Sequence, residues 1–207
     1  MKRQRAMMIK PTDNPAGRQT DAPVAALEPE PDSSPLSLDI DCRHDAWRGL
    51  EAALIAQADF VWRYLDLPHG EVSLVLADSK FIATLNETYR DKKGATNVLS
   101  FAAQDFTAPV SAADLAAMAP PLLLGDIVLA HDVLCDEARA QGKHVQDHMH
   151  HLLTHGLLHL LGYDHMDDAD AALMEQLEKD ILAAQGRPDP YAPGPYNRDS
   201  DEKATER

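Results

Sequence analysis

The stretch His155-Gly-Leu-Leu-His159-Leu-Leu-Gly162-Tyr-Asp-His165 constrains this chain more than any other. Its apolar spacing predicts a helix. On a helix, residues i and i+4 share a face and lie about 6 Å apart along the axis, so His155 and His159 can turn their imidazoles toward one point. Gly162 lets the helix stop and the chain reverse, because glycine takes the left-handed conformation at little cost. His165 can then swing back to the same point. Three neutral imidazoles and no thiolate suit Zn²⁺, and three protein ligands leave a fourth tetrahedral position open, the arrangement of catalytic rather than structural zinc. The expectation is one Zn²⁺ per chain, held by His155, His159 and His165.

Eight of the ten histidines fall between His131 and His165. A single histidine on an apolar helix face is usually a hydrogen-bonded core residue, and His144, His148, His150 and His151 are read that way. His151 extends the i, i+4 series to His155. A set made of 151, 155 and 159 would nevertheless have to span more than two helical turns. Asp164 stays open between a carboxylate that supports the site and an ordinary loop residue.

The rest of the chain bounds what this stretch sits in. A length of 207 residues predicts one domain, and no apolar run approaches the ~20 residues of a membrane span, so an integral membrane protein is excluded. Cys42 and Cys135 are too far apart in sequence for a CxxC knuckle, which suits a reducing, cytoplasmic setting. Met1 to Lys10 is basic, but its apolar core, Ala6-Met7-Met8-Ile9, is too short for a secretory signal. Residues 1–35 hold six of the fourteen prolines and few large apolar residues, and 186–207 read similarly, so both are expected to be flexible tails around a folded unit of 36–185.

Within that unit, apolar patterning predicts strands at 36–42, 72–77, 98–101 and 126–130 and helices at 44–65, 78–89, 131–141, 144–161 and 167–185. An Ala/Pro-rich insertion covers 102–123. The fold class is α/β or α+β: a small mixed sheet of about four strands packed by about five helices. The net charge of −15 argues against nucleic acid as a partner, yet the folded unit gathers four of its ten basic residues, Lys80, Arg90, Lys92 and Lys93, in one short segment. A local basic patch on an acidic body is the expectation.

The histidine spacing equals that of the metzincin proteases, HExxHxxGxxH, whose glutamate is the general base. Gly156 stands at the glutamate position here. A zinc metalloprotease is therefore the weaker alternative. A phosphodiester asks instead for charge neutralisation, which a metal and an arginine supply.

The chain resembles the bacterial YbeY endoribonucleases, the ribosomal RNA maturation factors. The resemblance rests on HGLLHLLGYDH at 155–165, the acidic helix of 167–184, Asp189-Pro-Tyr191, Leu85-Asn-Glu-Thr-Tyr-Arg90, Thr96-Asn-Val-Leu-Ser-Phe101 and Leu124-Gly-Asp-Ile-Val128. It implies zinc at His155, His159 and His165, and a catalytic role for Arg90 in RNA cleavage. It also implies single-strand endoribonuclease activity in maturation of the 16S rRNA 3′ end and in ribosome quality control. The implied partners are ribosomal RNA, the small ribosomal subunit with its proteins, and an assembly GTPase. Four features depart from the family pattern: Asn97 replaces an aspartate, Ala102 replaces a proline, and the 102–123 insertion and the long N-terminal tail are extra. Asn97 is read as a structural turn or cap. A non-catalytic assembly factor with structural zinc is the second alternative.

Overall fold

The computed structural model describes residues 34–118 and 122–194. Of the tails expected at 1–35 and 186–207, residues 1–33 and 195–207 lie outside the described residues. Four strands, β1 (Leu36–Cys42), β2 (Gly70–Ala77), β3 (Val98–Ala102) and β4 (Leu123–Ala130), form one sheet in the order β1-β2-β4-β3. The first three strands in that order run parallel, and β3 pairs antiparallel with β4 at the edge. Central strands β2 and β4 are buried on both faces toward their C-terminal ends, at Leu76–Ala77 and Ile127–Ala130, whereas Glu71, Ser73 and Asp126 leave one face open nearer their starts.

Among the described residues six helices accompany the sheet: α1 (Glu51–Tyr64), α2 (Ser79–Arg90), α3 (Ala112–Ala116), α4 (His131–Ala140), α5 (Val145–Leu160) and α6 (Asp168–Ala184), the last packed on α5. Side chains alternate across a strand, so Leu74, Leu76, Ile127 and Leu129 bury against α1 and α5, while Ala77, Val128 and Ala130 face Ile82 of α2 on the other side. Helix α5 is buried nearly all round, and α1, α4 and α6 flank it.

Three expectations need correction. The helix predicted over 44–65 is broken: a 3-10 turn covers Asp45–Trp47, Gly49 follows at φ +86°, and α1 begins only at Glu51. The cause is tertiary, since the fully buried Trp47 indole donates to the Ala77 carbonyl at 2.9 Å and fixes the chain there. The insertion contains α3, opened by a capping box between Ser111 and Asp114 and anchored by buried Leu115, which makes the helix count six. Folded structure also runs past 185. Residues 187–194 return to the body through Arg187 Nη1 to Asp147 Oδ1 at 2.7 Å, Lys143 Nζ to the Pro190 carbonyl, and the Gly194 N–H to the Gln141 carbonyl at 3.2 Å. Proline restricts the unfolded chain, so docking a segment with Pro188, Pro190 and Pro193 costs little entropy.

Candidate metal centre

Helix α5 carries two of the three histidines, and its end delivers the third. The Gly162 N–H donates to the His159 carbonyl and the Tyr163 N–H to the Leu158 carbonyl, closing the last turn with Gly162 at φ +83°. A Cβ at Gly162 would lie 2.6 Å from the Ala108 carbonyl oxygen and 2.7 Å from Phe106 Cβ, so the insertion presses on this turn. The chain then doubles back and sets the His165 ring 5.6 Å from His155 and 5.0 Å from His159, centroid to centroid. One nitrogen from each of the three rings falls within 4.8 Å of the other two, so this group could hold a metal ion.

Hydrogen bonds fix which nitrogens face inward. The Tyr163 carbonyl can only accept, so His159 Nδ1–H donates to it at 2.9 Å. His155 Nδ1–H donates to Glu178 Oε1 at 2.8 Å. The two Nε2 atoms are left facing each other at 3.1 Å. Two imidazoles on a tetrahedral zinc, each at about 2.0 to 2.1 Å, hold their nitrogens about 3.3 Å apart, so the pair is close to a chelating geometry before any cation arrives. Burial, reinforced by the neighbouring His155 and His165, pushes the His159 pKa down to about 4 and keeps the ring neutral, the form a metal requires.

Glu178 is the residue that sequence reasoning missed. It is fully buried on α6, and its carboxylate accepts from His155, from His151 Nε2 at 2.8 Å and from the Tyr191 hydroxyl. Burial alone would raise its carboxyl, but the hydrogen bonds from His151 and His155 override that and hold it at about 2. A signal existed: Glu178 falls in the buried stripe Met174, Glu178, Ile181, Leu182, where an unpaired acid would be costly.

An open cleft of about 260 Å³ has the three histidines on one wall and Arg90, Lys92, Asn86, Thr96, Asn97 and Ser100 among its other lining residues. Arg90 ends α2, where Asp91 turns the chain at φ +53°, and its Nη2 donates to the Ser100 carbonyl at 3.2 Å. Lys93 is exposed beside the cleft without lining it. Asn97 caps locally, accepting the Val98 N–H at 2.7 Å, and its Nδ2 donates to Glu137 Oε2 at 2.8 Å. Glu137 also pairs with buried His148 at 2.9 Å. Asp164 is exposed, and its carboxylate accepts the His165 backbone N–H at 2.7 Å. His150 is buried with neither ring nitrogen hydrogen-bonded.

Gly156 turns away from this cleft. A Cβ there would sit 3.1 Å from two Ile127 carbons and 3.2 Å from Ser100 Oγ, so glycine is what lets α5 lie closely on β3 and β4. A glutamate at this position would have to push Ile127 and Ser100 aside.

Residues 46–186 match the family model described as Endoribonuclease YbeY. The chain is similar to the Endoribonuclease YbeY of Paramagnetospirillum magneticum, 47% identical over 75% of this chain and 94% of that protein. It is likewise similar to the Endoribonuclease YbeY of Paracoccus denitrificans, 41% identical over 78% of this chain and 93% of that one. Among solved structures, the solution structure of TM1509 from Thermotoga maritima aligns with a TM-score of 0.47 and 18% identity, covering 75% of this chain and 99% of that chain.

Proposed function

The chain belongs to the Endoribonuclease YbeY family, and from that premise we propose that it is a cytoplasmic, zinc-dependent endoribonuclease that cuts single-stranded ribosomal RNA. The observation that carries this reading is the pair of Nε2 atoms facing each other at 3.1 Å, with both Nδ1 atoms already engaged and His165 alongside, on the wall of a cleft that Arg90 and Lys92 also line. Three imidazoles from His155, His159 and His165 fit zinc, and among the described residues no fourth protein donor joins them, which favours a catalytic over a structural ion. When bound, zinc supplies Lewis acidity toward a phosphate oxygen and toward water.

The chain's own residues do the rest. Arg90 binds the scissile phosphate through its planar fork, and Lys92 adds a point charge on the same wall. Hydrogen bonds to Glu178 and the Tyr163 carbonyl hold His155 and His159 in the tautomer that presents Nε2. The residues lining the cleft include no carboxylate and Gly156 faces the sheet, which counts against peptide hydrolysis. Processing of the 16S rRNA 3′ end, ribosome quality control, and contacts with the small subunit and an assembly GTPase extend this reading on family resemblance. The test is metal analysis of the purified chain beside cleavage of a defined single-stranded RNA with and without chelator. About one zinc per chain and chelator-sensitive cleavage are expected; metal-free protein that cleaves equally well overturns the reading.

A further inference from the structure

Glu178 links three parts of the chain: α5 through His151 and His155, α6 on which it sits, and the 187–194 segment through Tyr191. A fully buried carboxylate is expensive to keep unless its oxygens are satisfied, and these accept three hydrogen bonds. The Tyr191 hydroxyl and His151 Nε2 both reach Oε2, while Oε1 is left to His155 Nδ1. The carboxylate therefore cannot rotate without losing a partner. The segment that brings Tyr191 in is itself tied at Asp147, Lys143 and Gln141.

We infer that Glu178, clamped by Tyr191 and His151, is a positioning residue for the metal centre: it fixes the ring of His155 and keeps its proton on Nδ1, so that Nε2 is presented to the ion. Resting on the metal reading proposed above, this makes the C-terminal segment a working part of the centre. Tyr191 touches no member of the triad other than through Glu178 among the described contacts. A neutral carboxamide at 178 keeps one acceptor oxygen: with its NH2 at the Oε1 position it opposes the His155 Nδ1–H, and with its NH2 at the Oε2 position it opposes the donors of His151 and Tyr191, so at least one of the three hydrogen bonds is lost.

The test uses the full chain with Zn²⁺ and Co²⁺. Affinity is read by competition with a chromophoric chelator, and the protonated nitrogen of His155 by long-range ¹⁵N–¹H correlation in the zinc-loaded protein. Glu178→Gln is expected to weaken zinc about 10- to 100-fold, in the range typical for groups that orient metal-bound histidines. Tyr191→Phe, which removes one hydroxyl and keeps the ring, guards against a Glu178 variant that fails to fold. It is expected to weaken zinc less, to quicken solvent exchange of the His155 Nδ1 proton, and to alter the Co²⁺ visible spectrum. Parental affinity in both folded variants with an unchanged His155 signal overturns the clamp while leaving the metal reading intact. A parental chain that binds neither ion overturns both.

Discussion

The Nε2 atoms of His155 and His159 owe their approach to what lies behind each ring, a carboxylate in one case and a carbonyl in the other. Loss of either ring removes a donor from a three-donor set, whereas His150 donates to nothing. We therefore expect His159→Ala to lose its zinc and His150→Leu to keep about one ion per chain, read by metal analysis after gel filtration. Equal content in the two would sink the ligand assignment. Arg90 separates charge from geometry, because lysine keeps the first and lacks the planar fork. Arg90→Ala should slow RNA cleavage about 30- to 1,000-fold, the equivalent of about 2 to 4 kcal/mol, with zinc content and folding unchanged. Arg90→Lys should recover little. Native-rate cleavage by Arg90→Ala, or loss of its zinc, would remove Arg90 from the reaction.

Among the elements, α5 carries two demands at once, presenting histidines on one side and lying close to the sheet on the other. Gly156 meets the second demand against Ile127 and Ser100. Installing the glutamate of a metzincin there forces a charged side chain into that contact. Gly156→Glu is expected to lose at least about 3 kcal/mol of stability by denaturant unfolding and to gain no peptidase activity. A stable variant that digests an unstructured protein in a chelator-sensitive way would contradict both halves of this expectation. The turn after α5 has a similar constraint: Gly162→Ala combines φ +83° with a contact at 2.6 Å to the Ala108 carbonyl oxygen. It should lower thermal stability and weaken zinc together, because His165 follows that turn.

For the whole molecule, acid stability turns on buried histidines. His150 is 5% exposed, and burial first, then the charge of Arg187, depresses its pKa to about 4 from the usual 6.5. The folded state thus resists a proton that the unfolded chain takes up. Below about pH 6.5 the unfolded state gains protons first, so stability falls with pH until about pH 4, where the folded ring is protonated too. His150 contributes up to about 3 kcal/mol to that loss. His150→Leu should flatten part of the decline between pH 6.5 and 4 in urea-unfolding series at fixed metal content, leaving the portion due to His148, His159 and His131, which burial also pushes down. An unchanged slope would show that His150 is not protonated on unfolding in that window.

The local signals in the chain were strong ones. Apolar periodicity marked all four strands and, apart from α3, the helices after residue 77 nearly to their ends, and the i, i+4 histidine pair with Gly162 predicted that His155, His159 and His165 could meet at one place. Such features depend on spacings within a few residues, which backbone geometry alone determines. Contacts between distant segments were not legible. Nothing in the spacing revealed that Gly49 breaks the first helix because Trp47 reaches Ala77, or that β3 turns antiparallel beside β4 and brings the Arg90 end of α2 to the histidine wall. The same holds for Glu178 and Tyr191, which lie 23 and 36 residues from His155 and meet at its Nδ1 side only because α6 and the 187–194 segment pack on α5. Sequence by itself determined that His155, His159 and His165 could meet at one point. Tertiary structure decided which nitrogen each ring presents, because that depends on the buried acceptor behind it, and the packing of layers supplies that acceptor.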